Sequence, residues 1–331
     1  MRCAVVGAGA WGTALANLLA ENGHPTIVWA YETDVAEAIN TGHENPRFLA
    51  NVPLQPELRA TSDHETAVTG AELIVYATPS HVLRDVSSAG KAWVEPEATL
   101  VVATKGIERT RLALMTDVIA EEFAGHPVVG LSGPSFAFEV AARQPTAVVA
   151  ASLDAQAAIL TQQALSSPGF RVYTHDDVTG VELAGALKNV MAVATGISDG
   201  LGLGFNARAA LITRGLAEIM RLGVKLGARP VTFAGLAGVG DLVLTCTGAL
   251  SRNRNVGLEI GRGATLSEVL AGRETVAEGV VTTESAKALS EREGIEMPIV
   301  NAVHRVLFER QPARWALVEL MTRGLRGEED R

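Results

Sequence analysis

The stretch CAVVGAGAWGTALANLLAENG, residues 3–23, is the strongest indication of the fold. Residues 3–7 are small or β-branched and apolar, which predicts a buried strand. A helical pattern follows over residues 12–23 and stops at Gly23, a residue that commonly ends helices. The connecting GAGAWG, residues 7–12, fits G-x-G-x-x-G, a pattern that carries meaning only between a strand and a helix. Because both neighbours are present, the stretch predicts a dinucleotide-binding turn; a merely tight strand–helix turn is the alternative.

Each glycine of this turn has a physical reason to be there. Gly7 allows the tight turn, Gly9 lets the backbone approach a pyrophosphate, and Gly12 permits close contact between helix and strand. The start of the helix also offers free N–H groups and a positive dipole end to phosphates. The segment is uncharged after Arg2 and superficially resembles a signal peptide, but its glycines and Asn17 interrupt the apolar run.

Beyond this turn, the first half of the chain alternates β-rich runs with helical patterns. Further strand candidates lie at 26–30, 73–79, 99–106, 127–133, 145–152 and 170–175. Strands separated by helices predict a parallel sheet with helices on both faces. Later segments read as helices at 177–198, 207–228, 232–247, 252–261, 279–293, 297–310 and 312–323. The predicted fold class is an α/β Rossmann-type dinucleotide-binding domain, residues 1–180, followed by an all-α domain, residues 181–331.

Composition narrows the class of protein. The 331 residues are 47% hydrophobic and carry a net charge of −9, which opposes nonspecific binding to nucleic acid or an anionic membrane but leaves room for a local anion site. Cys3 and Cys246 are too far apart for a metal motif, and no other stretch is apolar enough for a membrane span. We therefore expect a cytoplasmic protein with no metal, no nucleic-acid partner and no membrane insertion. A homodimer is expected because two-fold dimers are the commonest assemblies.

The choice between NAD and NADP should depend on the end of the second strand. Glu32 lies twenty residues after Gly12, where an acidic group can accept a hydrogen bond from a ribose 2′-hydroxyl and would repel a 2′-phosphate. No Arg or Lys lies between Arg2 and Arg47. This pattern favours NAD, although Glu32 could instead be a solvated helix-start residue, with Tyr31 as the contacting side chain.

The stretch ELAGALKNVMAVATGI, residues 182–197, places Lys188 and Asn189 in a helix that is otherwise apolar on every side. Such a helix is usually buried. Lys188 either snorkels to water or is desolvated, in which case its pKa falls because burial disfavours the charged form. A desolvated lysine can exchange a proton near neutral pH.

Two further stretches supply companions for this lysine. ATKGIE, residues 103–108, places Lys105 just past the end of a strand, where open α/β sheets bind ligands. LAGVGDLVLTC, residues 236–246, contains Asp241 in apolar surroundings, where a carboxylate needs a partner such as lysine. A helix N-cap after Gly240 is the alternative role for Asp241.

The sequence SRNRN, residues 251–255, predicts an anion site. Ser251 is a plausible N-cap, so the helix beyond it would present free amides, while Arg252 adds a planar cation and Asn253 an amide donor. For Arg254 we favour a solvated position on a basic turn. Taken together, a dinucleotide turn, a buried lysine–aspartate pair and a phosphate site indicate hydride transfer on a phosphorylated carbonyl compound.

At these residues the whole chain resembles the bacterial-type NAD(P)-dependent glycerol-3-phosphate dehydrogenases. The matching motifs, in order, are GAGAWGTALA, ATKGIE, LSGPSFAFEVA, ELAGALKNVMAVATGI, GLAGVGDLVLTCTG, SRNRNVG and VAEGV. The resemblance implies reversible reduction of dihydroxyacetone phosphate to sn-glycerol 3-phosphate, a phospholipid precursor, in a cleft between the two domains. Many members carry His or Arg where this chain has Tyr31, so NAD and NADP both remain open.

The resemblance also implies roles for individual residues. Lys188 would exchange the proton at the C2 oxygen, Asp241 would hold the substrate and orient Lys188, and Lys105 would stabilise negative charge on that oxygen. The other substrate-binding residues would be Gly133, Ser135, Asn189, Thr245, Ser251, Arg252 and Asn253. The cofactor-binding residues would be Gly7, Gly9, Ala10, Trp11, Gly12, Tyr31, Glu32, Lys105, Ala137, Arg252 and Glu278.

Two rival functions are weighed against this one. A related two-domain dehydrogenase of a 3-hydroxyacid or sugar acid would explain the glycine turn and the lysine–asparagine helix, but explains the SRN site less well. A non-catalytic NAD(P)-sensing protein would need no pairing of Lys188 with Asp241. A substrate panel followed by NADH oxidation distinguishes the first rival, and turnover that is lost in Lys188→Ala would exclude the second.

Overall fold

The computed structural model describes residues 1–272, 276–325 and 327–328. Its strands are β1 (Cys3–Val6), β2 (Thr26–Trp29), β3 (Arg59–Thr61), β4 (Leu73–Tyr76), β5 (Thr99–Val102), β6 (Val128–Ser132), β7 (Thr146–Ala151) and β8 (Phe170–His175). Within the described residues these eight strands form one sheet, in the order β3-β2-β1-β4-β5-β6-β7-β8. The strand order reverses direction at β1, which places the glycine turn at the point where open sheets bind ligands.

The expectation of a wholly parallel sheet is wrong at one place. β6 and β7 pair antiparallel, whereas β7 and β8 run parallel. A parallel connection needs a crossover element that returns along the whole strand. The connection from β6 to β7 contains only a five-residue helix, Ala137–Ala141, which is too short for that return. Strand β3 was not predicted, because its three residues, RAT, show no apolar alternation.

Helices accompany the sheet and then form the second half of the chain. Those in the first half are α1 (Ala10–Glu21), α2 (Thr33–Gly42), α3 (His64–Val68), α4 (Leu83–Gly90), α5 (Met115–Glu122), α6 (Ala137–Ala141) and α7 (Ala155–Leu165). Those in the second half are α8 (Val178–Gly200), α9 (Phe205–Lys225), α10 (Asp241–Thr247), α11 (Arg252–Gly261), α12 (Leu266–Leu270), α13 (Glu278–Glu293), α14 (Pro298–Phe308) and α15 (Ala313–Met321). Among the described helices, none has the length and hydropathy needed to cross a bilayer.

The helix predicted over 232–247 is broken. Two short helical turns, Pro230–Ala234 and Leu236–Gly240, precede α10, and the backbone at Gly238 is not helical. A side chain at Gly238 would clash with the carbonyl of Phe233, so the chain approaches itself closely here. This break aims the start of α10, and therefore Asp241, toward the sheet. The short helix α12 was also not predicted from the sequence.

Within the described residues the core has a cluster on each face of the sheet, a third among the helices and a small fourth formed by Val149, Ala151, Val181 and Ala237. Strand β1 contributes side chains to the core on both faces of the sheet: Cys3 and Val5 pack on one face, and Ala4 and Val6 pack on the other. Strands buried on both faces are typical of parallel sheets. The third cluster surrounds α8, whose residues 180–198 are all buried.

Near its first turn, helix α8 is capped by its own N-cap residue and bonded to α5. Its cap, Asp177, accepts a hydrogen bond from the Gly180 N–H at 2.9 Å. One turn later, Glu182 accepts from the Thr116 N–H at 3.0 Å and from the Thr116 hydroxyl. Burial raises the pKa of Glu182 to about 8, against the lowering effect of the bonds from Thr116. The Glu182 carboxyl therefore ties the helical second half of the chain to the first turn of α5.

This pKa makes the stability of the protein depend on pH. A carboxyl whose pKa is raised on folding stabilises the fold fully below about pH 4.5 and loses that contribution as pH rises through about 8. Relative to Glu182→Gln, wild type is expected to lose up to about 1.4 kcal/mol per pH unit in this window. Urea unfolding at pH 5.5, 6.5 and 7.5 measures the difference. Glu37→Gln, at an exposed site on α2, is the control; a pH-independent difference for Glu182→Gln contradicts the prediction.

Candidate active site

The glycine turn has the geometry that a dinucleotide requires. Gly7 has φ +117°, a conformation that side chains disfavour, and a side chain at Gly12 would clash with the Gly7 carbonyl. A Cβ at Gly9 would meet nothing within 4 Å, so this side of the turn is open. Gly9 also caps α1, with free helix N–H groups behind it. Phosphates can therefore approach this backbone closely.

Unpaired polar atoms near the same edge also fit a bound ligand. The indole N–H of Trp11 and the hydroxyls of Thr78 and Ser132 are buried without a hydrogen-bond partner among the described residues. Thr78 follows β4, and Ser132 ends β6. Buried polar groups normally have partners, so a ligand with donors and acceptors suits this edge. The residues present therefore fit NAD or NADP.

Two lysines and one aspartate form a charged cluster beside this edge. The Lys188 ammonium donates to Asp241 Oδ1 at 2.5 Å and to Thr245 Oγ1 at 2.9 Å. The Lys105 ammonium donates to Asp241 Oδ2 at 2.7 Å and to the Gly133 carbonyl at 3.2 Å. Lys188 is 7% exposed and Asp241 is fully buried. Both carboxylate oxygens are thus occupied by cations, which is the compensation that a buried carboxylate needs.

The structure pairs Lys188 with Asp241, the partner suggested for it from the sequence, but this contact does not join the two halves of the chain. Both residues belong to the helical half, on α8 and α10. Lys105, just after β5, makes the crossing from the sheet to the helices. The side chain of Asp241 makes no N-cap bond, so the alternative role considered for it is wrong.

Burial and charge set the protonation of the cluster. Burial lowers the pKa of Lys188 to about 8; Asp241 opposes this fall, and the neighbouring Lys105 adds to it. Burial acts to raise the pKa of Asp241, but the two ammonium groups together hold it below its usual range. Near neutral pH the cluster therefore holds an ionised aspartate and a lysine close to its titration point, which suits proton exchange.

The turn at residues 251–253, here called the phosphate turn, begins α11. Ser251 caps this helix as predicted, accepting from the Arg254 N–H at 3.2 Å. The side chain of Asn253 donates to Asn189 Oδ1 at 2.9 Å and accepts from the Gly279 N–H at 2.8 Å. Arg252 is exposed, and its charge interacts with that of Glu278.

The sequence interpretation of Arg254 as a solvated residue is wrong. Its guanidinium is largely buried and donates to Asp199 on α8, with Nε 2.9 Å from Oδ2. The sequence offered one signal for this pair, a lone carboxylate near the end of an apolar helix.

The remaining predicted site residues lie around the sheet edge. Ser135 donates to the Gly133 carbonyl at 2.9 Å, and Ala137 begins α6. Glu278, at the start of α13, accepts from the Ser80 N–H at 3.0 Å and from its hydroxyl at 2.5 Å. Ser80 was not singled out from the sequence, although its place directly after the LIVYATP run is a signal.

The residues expected to select the cofactor follow β2, the neighbour of β1. Tyr31 is 79% exposed, and its ring lies edge-on to that of Trp29. Glu32 is half-buried at the N-cap position of α2 but makes no capping bond with its side chain. The Glu32 carboxylate therefore takes no part in capping α2.

The open glycine turn, the charged cluster beside it and the helical second half together define a class: a two-part NAD(P)-dependent oxidoreductase.

Comparison with known proteins identifies the family within this class. Residues 2–158 match the N-terminal model, and residues 177–318 the C-terminal model, of NAD-dependent glycerol-3-phosphate dehydrogenase. A relative from Geobacter sulfurreducens, named glycerol-3-phosphate dehydrogenase [NAD(P)+], is 53% identical over 99% of this chain and 98% of its own. One from Myxococcus xanthus with the same name is 51% identical over 99% of both. The crystal structure of glycerol-3-phosphate dehydrogenase from Coxiella burnetii has a TM-score of 0.94 at 42% identity, covering 97% of this chain and 99% of that one. The chain belongs to the NAD-dependent glycerol-3-phosphate dehydrogenase family.

Proposed function

We propose that this protein catalyses the reversible, NAD(P)H-dependent reduction of dihydroxyacetone phosphate to sn-glycerol 3-phosphate. The observation that carries the proposal is the charged cluster, in which Asp241 is shared by Lys188 and Lys105 at the carboxyl edge of the sheet. This arrangement offers one proton donor and one fixed positive charge to a carbonyl oxygen. The family of the chain and the phosphate turn support a phosphorylated three-carbon substrate.

A nicotinamide cofactor bound at the glycine turn would supply the hydride, and the chain would supply position, charge and a proton. The phosphate turn would hold the substrate phosphate, through the free amides of α11 and the Arg252 guanidinium. Lys105 would stabilise the negative charge that develops on the C2 oxygen during reduction. Lys188 would donate its proton to that oxygen and take it back in the oxidation. Asp241 holds both ammonium groups at fixed positions, which keeps the donor aligned.

A substrate panel tests this function. The purified protein with NADH should reduce dihydroxyacetone phosphate far faster than it reduces dihydroxyacetone or 3-oxoacids of similar size. With NAD+ it should oxidise glycerol 3-phosphate far faster than it oxidises sugar acids. Chiral analysis of the product should give the sn-3 phosphate. Preferential turnover of a 3-oxoacid or sugar acid, or no turnover at all, would overturn the proposal.

We expect the enzyme to prefer NADH. The Glu32 carboxylate would repel a 2′-phosphate and accept from a 2′-hydroxyl. The kcat/KM for NADH should exceed that for NADPH by about tenfold or more, which corresponds to about 1.4 kcal/mol. Glu32→Gln should lower the ratio of the kcat/KM for NADH to that for NADPH, whereas Asp34→Asn, at an exposed site two residues further along the chain, should leave the ratio unchanged. Equal or better use of NADPH by wild type contradicts the assignment.

The remaining assignments concern the whole molecule. We propose a dinucleotide-binding domain at residues 1–180 and a substrate-binding domain at 181–331. We also propose a cytoplasmic homodimer that supplies backbones for glycerophospholipid synthesis. Light scattering on the purified protein tests the dimer, and a monomeric mass at assay concentration would exclude it.

A further inference from the structure

A buried carboxylate lies at the far end of α8, outside the charged cluster. Asp199, near the end of α8, has a side chain that is 6% exposed. Its Oδ1 accepts from Arg208 Nε at 3.0 Å and from the second guanidinium nitrogen at 2.6 Å. Its Oδ2 accepts from Arg254 Nε at 2.9 Å. Both oxygens are therefore committed to guanidinium groups from two different helices, α9 and α11.

The partner from α11 stands next to the phosphate turn. Arg254 follows Asn253 directly, and its N–H bonds the cap Ser251. Its carbonyl lies against Gly196 so closely that a side chain there would clash with it. The first turn of α11 is thus held on α8 by an ion pair at Asp199 and by backbone packing at Gly196.

A second link joins the same two helices nearer the charged cluster. Asn189, the neighbour of Lys188, accepts from the side chain of Asn253 at 2.9 Å. Helix α8 therefore carries the proposed proton donor and fixes the phosphate turn at two places, Asn189 and Asp199. Since a helix is a stiff element with a rise of about 1.5 Å per residue, the separation between donor and phosphate site is set by α8 itself.

We propose that Asp199 and Arg254 are positioning residues for the substrate phosphate. Their ion pair fixes the register of α11 on α8, so that the amides and side chains of the phosphate turn meet the phosphate when C2 lies beside Lys188. This inference rests on the proposed function, because it concerns the phosphate of that substrate. Arg208 shares the carboxylate but comes from α9 and lies outside the phosphate turn, which makes it a matched control.

The test compares substrates with and without the phosphate. Arg254→Gln and Asp199→Asn should raise the KM for dihydroxyacetone phosphate by about 10- to 100-fold, the effect expected from displacing a binding group by about 1 Å. The slow reduction of unphosphorylated dihydroxyacetone, and the Kd for NADH, should change less than threefold. Arg254→Lys should restore part of the loss, and Arg208→Gln should change the KM less than threefold. Thermal midpoints and circular dichroism establish that each variant is folded.

The possible outcomes distinguish failure of the proposed function from failure of the positioning role of Asp199 and Arg254. If wild type does not reduce dihydroxyacetone phosphate, the proposed function fails. If wild type does reduce dihydroxyacetone phosphate, the positioning role fails under either of two results. In the first, Arg254→Gln leaves the KM for that substrate unchanged. In the second, Arg254→Gln lowers the reduction of dihydroxyacetone as much as it lowers the reduction of dihydroxyacetone phosphate. Should Arg254→Gln not fold, the comparison of Arg254→Lys with Arg208→Lys decides: equal KM values for the two variants overturn the role.

Discussion

Replacing Lys188 by methionine should slow hydride transfer to dihydroxyacetone phosphate by about 10³-fold, within the range of about 10²- to 10⁴-fold that a positioned acid contributes. Lys188 is buried with its ammonium 2.5 Å from Asp241, so no water can readily replace it as donor. Methionine fills a similar volume, and Asp241 keeps Lys105 as a partner. The variant should therefore fold, with a thermal midpoint near that of wild type.

Single-turnover stopped-flow measurements, following NADH absorbance, check this expectation. The Kd for NADH, measured by fluorescence, is the control and should change little. A loss of less than tenfold in the single-turnover rate would mean that the proton comes from another group. Full activity with a normal thermal midpoint would remove Lys188 from the mechanism.

Replacing Asp241 by asparagine should have the second largest effect, and it should act on stability as well as on rate. The change leaves two ammonium groups, Lys188 and Lys105, facing each other without the carboxylate that now lies between them. Removing one partner of a buried ion pair costs about 3–5 kcal/mol. Loss of the opposing charge also lowers the pKa of Lys188 further, so a smaller fraction of the donor is protonated at pH 7.5. We expect the rate of hydride transfer to fall by about 10²-fold or more.

A double-mutant cycle tests whether the loss of stability in Asp241→Asn comes from the charge of Lys188. In Asp241→Asn combined with Lys188→Met, only one cation remains in the cluster, so the double variant should be more stable than Asp241→Asn alone. Urea unfolding of the four proteins measures the coupling. Additive losses of stability would show that Asp241 and Lys188 do not form the charge pair described here.

Much of the fold could be predicted because its signals are local. The glycine turn, the apolar strands and the all-apolar helix at 182–197 each specify one element from a few neighbouring residues. The antiparallel pairing of β6 with β7 could not be predicted in this way, because it depends on how far a short connection can reach. The break before α10 depends on contact between Gly238 and the Phe233 backbone, which appears only once the chain has folded.

The functional site shows the same contrast between residues that local sequence singles out and contacts that depend on the folded chain. Lys188 and Asp241 could be singled out because charged residues in apolar sequence need a reason to be there. Which residues contact which could not be predicted, because these contacts join elements that are far apart in the sequence. Lys105 reaches from the sheet to Asp241, and Ser80 bonds Glu278, 198 positions further along the chain. Arg254 shows the limit most clearly. Its sequence neighbourhood is basic and polar, yet its partner, Asp199, lies 55 positions earlier on a buried helix.

The most direct test of the account is the pH dependence of hydride transfer in both directions. Lys188, with its pKa lowered to about 8 by burial, must be protonated to assist reduction and neutral to assist oxidation. The single-turnover rate of dihydroxyacetone phosphate reduction should be level from pH 7 and fall tenfold per unit above about pH 8. The rate of glycerol 3-phosphate oxidation should rise tenfold per unit up to the same pH and then level.

Starting at pH 7 keeps both profiles above the second pKa of a phosphate ester, about 6. Mirror-image profiles that share one pKa, and lose it in Lys188→Met, are the predicted result; parallel profiles, or profiles unchanged in Lys188→Met, would contradict the assignment of Lys188 as the group that exchanges the proton.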